Sequence, residues 1–418
     1  MQGPVDRPVD LPDHEECFGC GACTAVCPRQ AITLECNESG FLVPLVNEGA
    51  CVQCGKCKDV CPVINPPGFA LVDQVPPFAV WSKSPRLRRM SSSGGAALSL
   101  AGHFQSKGYR LAGAVFASDF RSVKHVIPGT VEGLLDTVGS KYVQSNASPV
   151  LRHIFNSIKE KYVFFGTPCQ VAGMRRLLES SFNMVPRAGA PLSEEGHNAQ
   201  DGHGFPGFFL VDFFCHGVPS YSAWWAFLDE IVIPQTGPIE FIDFRDKSSG
   251  WTDYSLVCSG SKGTYMNEFG HTIFGQLFLS DLCLRDSCYT CPYRSTSPAD
   301  LRIGDFWGSE FDKDSMGVSL LVPVTEKGLA AVEENVNLVL RSAPRSLLYE
   351  SQPLILNPGL RVPPERREVM EKLRQGVPLE DIYHTYLARS HKKRLFKRRV
   401  SRLLPPAVKK VARLLVQG

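Results

Sequence analysis

The sequence predicts a two-part chain of α+β, mixed α/β class, with a small cysteine-built module ahead of a larger α/β domain. Three observations predict it. Two runs of four cysteines crowd positions 17–61. A proline-rich stretch, NPPGFALVDQVPP at 65–77, follows at once. Beyond it, short β-like runs alternate with helix-like ones as far as about residue 350. At 418 residues the chain can hold two or three domains with a sizeable core. Its 43% hydrophobic and 21% charged residues are those of a globular chain and exclude a disordered one.

The module spans 14–65. Cys17-x2-Cys20-x2-Cys23-x3-Cys27-Pro28 recurs as Cys51-x2-Cys54-x2-Cys57-x3-Cys61-Pro62. Three thiolates two residues apart can wrap one face of an iron–sulfur cube, and Gly19, Gly21 and Gly55 ease the tight loop. The fourth cysteine of each run reaches the other cube. The expected sets are Cys17, Cys20, Cys23 and Cys61 for one 4Fe-4S cluster, and Cys51, Cys54, Cys57 and Cys27 for the second. Each fourth cysteine is expected to start a short helical turn, where its proline fits. Zinc knuckles compete, but zinc sites pair two C-x-x-C units and have no use for a three-plus-one run with proline. Fifteen cysteines would suit a secreted disulfide scaffold only in a short chain. Between the repeats, ITLECNESGFLVP reads as a hairpin turning at 37–40, with Cys36 packed rather than ligating. The module resembles a bacterial-type two-cluster ferredoxin domain, a carrier of single electrons.

The stretch 66–77 reads as a stiff linker. In the domain at 78–350, FAVW and LAGAVFA read as strands, with a helix over SSGGAALSLAGHFQSKG between them. Ser148-Pro149 opens another helix. KYVFFG followed by TPCQVAGMRRLLE is a strand–turn–helix unit. FFLVDFF, IEFIDF, LRIGDF and SLLVPV supply further strands, and Thr325-Glu326 begins a helix. The polar segment 186–204 reads as a solvent loop, and its His197 and His203 are weak metal candidates. The end of the chain, 351–418, reads as a helical and basic tail.

Four stretches carry chemistry. Arg88-Arg89-Met90-Ser91-Ser92-Ser93-Gly94-Gly95 opens a helix with hydroxyls, small residues and free backbone N–H groups, an anion cradle or a close-packed cap. Gly139-Ser140-Lys141-Tyr142-Val143-Gln144-Ser145 offers a cation, an aromatic face and an amide. Gly166-Thr167-Pro168-Cys169-Gln170 lies on the turn after a buried strand, where open α/β sheets bind ligands. The fourth combines FCHG at 214–217, FRDK at 244–247 with Trp251, and LRDSCYTCPYRSTSPADLRIGDFWG at 284–308. There the pair Cys288-x2-Cys291 cannot complete a four-coordinate site alone; Cys169, after one buried strand, and Cys215, at the end of another, can converge on it, with His216 as an alternative ligand and free thiols packed in the core as the competing reading.

With SSSGGA, GSKYVQS, GTPCQVAG, DFFCHGVPS, FRDKSSGW, LRDSCYTCPYR and ADLRIGDFWG in order, the chain resembles the coenzyme F420 hydrogenase and dehydrogenase beta-subunit family, in its form with a fused N-terminal ferredoxin domain. The resemblance covers about 17–324. It implies an iron–sulfur flavoprotein oxidoreductase that passes electrons between clusters and a flavin, the flavin exchanging a hydride with a two-electron substrate, coenzyme F420-like or other. It implies one FAD, contacted by Ser92, Ser93, Gly94, Gly95, Ser140, Lys141, Tyr142 and Gln144. It also implies a third 4Fe-4S cluster on Cys169, Cys215, Cys288 and Cys291, with Cys258 and Cys283 in the core. Implied partners are a redox protein or ferredoxin-like donor and a two-electron small molecule. The rival is a non-catalytic electron-transfer subunit of a larger redox complex.

No apolar run approaches the ~20 residues of a membrane span, and MQGPVDRPVDLPDHEE lacks the apolar core of a signal peptide. The expected location is cytoplasmic. From 389 on, Lys and Arg alternate with Leu and Val and no acid occurs. This suits a solvated or docked tail, or peripheral contact with an anionic inner-membrane surface. Nucleic-acid binding ranks below, because no aromatic-interleaved platform accompanies the charge.

Overall fold

The computed structural model describes residues 11–182, 205–308, 310–311, 313–356 and 359–403. The loop 186–204 with its two histidines, and the tail from 404, lie outside the described residues.

In the module, Gly21 and Gly55 sit at positive φ (89° and 76°) and open two short helices, Ala22–Val26 and Lys56–Asp59. Each helix contains the third cysteine of its run and stops before the fourth. Each fourth cysteine then starts a turn of its own, as expected, with its proline next: Gln30 N–H donates to Cys27 O (3.1 Å) and Asn65 N–H to Cys61 O (2.8 Å). The hairpin forms as expected: β1 (Ile32–Cys36) pairs antiparallel with β2 (Leu42–Val46), and Gly40 donates its N–H to Asn37 O. Cys36 is exposed rather than packed, because it lies at the open end of β1 beside the turn.

The large domain is built around one nine-stranded sheet, with a smaller sheet beside it. In chain order their strands are β3 (Phe78–Ser82), β4 (Arg110–Phe116), β5 (Val123–Val126), β6 (Ser145–Asn146), β7 (Tyr162–Phe165), β8 (Phe208–Phe213), β9 (Ile239–Asp246), β10 (Ser255–Gly260), β11 (Gly263–Glu268), β12 (Leu301–Asp305), β13 (Ser319–Pro323) and β14 (Leu338–Ser342). All but β9, β10 and β11 form the large sheet in the order β14-β3-β13-β12-β8-β7-β4-β5-β6, while β9, β10 and β11 form the three-stranded one. The centre, β12-β8-β7-β4, is parallel. Central strands are covered on both faces, which is why β8 (FFLVDF) and β13 (SLLVP) read as continuous apolar runs.

The helix Pro168–Ser181 follows β7 and is buried almost throughout, Arg175, Arg176 and Glu179 included. One face lies on the sheet and the other meets the module. Arg176 pairs with Glu179 (2.6 Å) and donates to Asp59 O of the module, while Arg175 donates to Pro298 O (2.5 Å).

Two sequence boundaries shift. Within the linker, Ala70–Leu71 pairs with Thr296–Ser297, and Val72 is fully buried, so apolar side chains stitch the connector into the large domain. In the tail, the helices Arg366–Arg374 and Leu379–Ile382 bury Val369, Leu373, Leu379 and Ile382 in the aromatic core around Trp224 and Phe274. The basic segment begins in the helix Ala388–Leu403. Cys258 and Cys283 are both fully buried in that same core.

Candidate functional site: thiols beside a cavity

In the module, the sulfurs gather across the two runs. Burial pushes the Cys20 thiol well up, and Cys23, Cys61 and Cys17 push it further; burial, Cys17, Cys61 and Cys57 do the same to Cys23. Cys57 is raised by burial, with Cys27 and Cys54 adding to it. Such a crowd of buried sulfurs favours uncharged thiols until a cation neutralises them. Backbone donors already point at sulfur: Gly19 N–H to Cys17 Sγ and Ala31 N–H to Cys27 Sγ, both at 3.3 Å. Cys51 is half-buried at the head of its run.

The four distant cysteines also meet. Cys169 lies on the first turn of Pro168–Ser181, where Thr167 and Gln170 close a capping box, and Thr167 Oγ1 is 3.2 Å from Cys169 Sγ. Cys215 lies two residues beyond β8, the strand next to β7. Cys288 ends the single turn Asp286–Cys288, and Cys291 precedes the turn Pro292–Arg294. All four line one small cavity. Burial pushes Cys169 up to about 12, with Cys291 and Cys288 adding to it, and Val218 N–H donates to Cys288 Sγ (3.4 Å). A fully buried ion pair steadies the turn: Arg302 on β12 grips Asp212 on β8 (2.6 and 2.8 Å) and donates to Tyr293 O (2.9 Å).

Among the described residues, no three Cys, His, Asp or Glu side chains close on one point tightly enough for a single metal ion. A cube offers an iron at each of four corners, so its thiolates need not meet at a point.

A second cavity, of about 550 Å³, opens at the carboxyl ends of β7, β8 and β12 and shares Phe18, Cys169, Cys215 and His216 with the first. Its size is that of a small-molecule or cofactor site. Ser91, Ser92, Ser93 and Gly95 line it at the N-terminus of the helix Ala96–Ser106, and Ser140, Lys141, Tyr142 and Gln144 line it opposite. The two segments touch: Ser140 N–H donates to Ser92 Oγ (2.8 Å). Lys141 donates to the carbonyls of Val138 and Gly139, and burial lowers it to about 8 against the pull of Asp243 and Asp136.

Residues 159–342 match the family model for the C-terminal part of the coenzyme F420 hydrogenase/dehydrogenase beta subunit, and residues 16–65 match that of a 4Fe-4S dicluster domain. Residues 159–342 thus belong to the C-terminal region of the coenzyme F420 hydrogenase/dehydrogenase beta-subunit family, joined in this chain to a 4Fe-4S dicluster region at 16–65. Together the family and the 4Fe-4S domain point to redox electron transfer. A chain solved in the F420-reducing [NiFe] hydrogenase complex from Methanosarcina barkeri is similar at 18% identity and TM-score 0.45, over 71% of this chain and 97% of that one. Comparison with curated proteins finds no match. No helix among the described residues is long and apolar enough to cross a membrane.

In this beta-subunit-like chain, Cys169, Cys215, Cys288 and Cys291 fall inside the matched C-terminal region, whereas SSSGG and GSKYVQS precede it. Two expected cavity contacts are engaged otherwise. Gly94 does not line the cavity; a Cβ there would meet Val80 O at 2.5 Å and Ser319 N at 2.7 Å, so it is the close-packed glycine. Gln144 lines the cavity, but its Oε1 accepts from Leu42 N–H (2.9 Å) and ties the module down.

Other lining residues were not among the expected contacts. Arg245 is 3% exposed, pairs with Asp305 (2.8 Å), donates to Tyr142 Oη (3.1 Å) and stacks 3.9 Å from the Tyr254 ring. Its Nε and the Ser91 hydroxyl are buried without a partner among the described residues. His125 is held at about 4 by burial, so it is neutral; its Nε2–H donates to Phe165 O (2.9 Å), leaving Nδ1 to accept from Ser145 Oγ (2.6 Å). The alternation Val123, Lys124, His125 on β5 puts His125 on the buried face, and that signal was available in the sequence. Lys247 of the FRDK stretch is saturated by the carbonyls of Arg88, Ser93 and Met316, which makes it a brace for the cradle.

Proposed function

We propose that the protein is an iron–sulfur flavoprotein oxidoreductase that moves electrons between three 4Fe-4S clusters and an FAD facing a two-electron substrate. The observation that carries this reading is the shared wall: Cys169 and Cys215 line both the thiol cavity and the 550 Å³ cavity. Flavin exchanges two electrons as a hydride and releases them singly, the conversion needed between a cluster and a hydride acceptor.

The donor sets suit the groups. Cys17, Cys20, Cys23 and Cys61 would hold one cluster, Cys51, Cys54, Cys57 and Cys27 the next, and Cys169, Cys215, Cys288 and Cys291 the third. Ser92, Ser93 and Gly95 present hydroxyls and backbone N–H groups at a helix N-terminus, suited to a phosphate, with Lys141 adding charge. Ser91 Oγ and Arg245 Nε, buried without partners among the described residues, have hydrogen bonds to offer a bound group. Tyr142, Tyr254, Phe269 and Phe278 give the cavity its apolar wall, suited to a planar ring and to excluding water. A redox partner protein or ferredoxin-like donor would feed the outer cluster.

Protein purified without oxygen should hold roughly twelve irons per chain, at four per cube, and about one heat-releasable FAD. Lys141→Ala with Ser92→Ala should lower flavin content and leave iron near wild type. Full flavin retention in that double variant would remove the site, and a flavin-free wild type with intact clusters would leave a relay. We also propose that the basic tail contacts anionic membrane. Equal sedimentation with anionic vesicles by a chain ending at Leu387 would rule that out.

A further inference from the structure

Tyr293 is not needed as a ligand or as a cavity wall for flavin, yet it stands between two thiol sets. It follows Cys291 by two residues, on the turn Pro292–Arg294, and is 3% exposed. Its backbone carbonyl is pinned by Arg302, and its ring meets Phe18 of the module edge-on, with centroids 5.8 Å apart. Phe18 lies between Cys17 and Gly19, so that contact reaches the loop of the first cysteine run. Tyr293 itself lines the cavity formed by Cys169, Cys215, Cys288 and Cys291.

The hydroxyl is the informative atom. It is buried and has no hydrogen-bond partner among the described residues. The groups around it are sulfurs: Tyr293 shares its cavity wall with Cys169, Cys215, Cys288 and Cys291, and its ring partner Phe18 adjoins Cys17. Four of those thiols belong to the distant set and the fifth to the module. A buried O–H without an acceptor is costly, and no cysteine sulfur takes this one. A cube among the four thiols would bring sulfide acceptors into that space. The spacing between the sets is short: a Cβ on Gly173, one helical turn from Cys169, would come within 3.0 Å of Cys20 Sγ.

We propose that the Tyr293 hydroxyl donates a hydrogen bond to a sulfur of the cluster held by Cys169, Cys215, Cys288 and Cys291, on the side facing the module, and thereby raises that cluster's reduction potential. The inference rests on the third-cluster reading above. Reduction adds negative charge to the cube, and a donated hydrogen bond stabilises the more negative form more strongly. Tyr293 is thus a positioning and tuning residue on the route from module to cavity.

The test is Tyr293→Phe in the full chain, titrated redox-potentiometrically with EPR detection. Phe keeps the ring and its edge contact with Phe18, so the fold and the iron content should stay as in wild type. The cluster that disappears in Cys288→Ser/Cys291→Ser should titrate lower in Tyr293→Phe. The expected change in its reduced-to-oxidised ratio is roughly tenfold at fixed potential, which is ~59 mV for one electron. The module's two clusters should not move, and an exchangeable-proton coupling on the third cluster should vanish. An unmoved third cluster, or a shift confined to the module, overturns the inference while the third-cluster reading stands. A wild-type chain with only about eight irons removes both, and the iron count reveals this before any titration.

Discussion

In the module, cysteines two residues apart close loops so short that their own backbone sets the geometry, helped by Gly21 and Gly55 at positive φ. The set at 169, 215, 288 and 291 has no such help. Its members come from the ends of two adjacent parallel strands and from one irregular segment, and they meet only because β7, β8 and β12 lie side by side. The first arrangement survives wherever the local chain survives. The second is a property of the whole sheet, and a group bound there would fasten distant parts of the domain to one another.

The sharpest way to break the comparison is to remove ligands from each set. Cys288→Ser with Cys291→Ser should lower iron from roughly twelve to roughly eight per chain, as should Cys51→Ser with Cys54→Ser. Only the first pair should also lower the melting temperature of the large domain and stop electrons from the module reaching flavin. Stopped-flow reduction and calorimetry separate the outcomes; equal thermal effects would erase the distinction between local and assembled sets.

The join between the regions comes next. Arg285, 1% exposed, donates to Cys17 O (2.6 Å) and Leu42 O (2.9 Å), and Ser287 Oγ also donates to Cys17 O (3.0 Å). Arg285→Ala should cost about 3 kcal/mol, the sum of two hydrogen bonds from a charged donor. Protease should then release the module sooner. Denaturation and limited proteolysis without oxygen check this.

Gly173→Ala should be milder, at about 1–3 kcal/mol, because its Cβ would press on Cys20 Sγ at 3.0 Å and on Ala22 Cβ at 3.2 Å. The same change should alter the EPR line shape of the cluster nearest the helix and leave the outer one alone. Gly102→Ala, where nothing lies within 4 Å, is the control and should be neutral or stabilising.

The smallest expected effect is on the cavity side. Burial lowers Lys141 to about 8, so its charge is present below that pH and lost as pH rises through it. Flavin affinity should therefore weaken severalfold between pH 7 and pH 9, and Lys141→Met should flatten the step. Lys247 also lies at about 8 but does not line the cavity, so a step that persists in Lys141→Met would move the assignment to it.

The sequence by itself determined the iron–sulfur module, the hairpin between its repeats and most strands of the large sheet. Those depend on spacing and periodicity over a few residues, where chain geometry leaves few choices. It also singled out Cys169, Cys215, Cys288 and Cys291 and expected them to converge, but nothing in their spacing brings them together. Tertiary structure decided that they meet, because strand order brings together residues far apart in the chain. It decided as well that Arg175, Arg176 and Glu179 are buried: periodicity marks the apolar face of a helix, yet says nothing of a module lying on the other. Gly94 and Gln144 show the same limit. Each sits in a stretch that reads as a ligand site, and each is occupied by packing or by a backbone N–H from elsewhere. Side-chain chemistry is carried by the residue, while what that chemistry faces is set by neighbours that only the folded chain supplies.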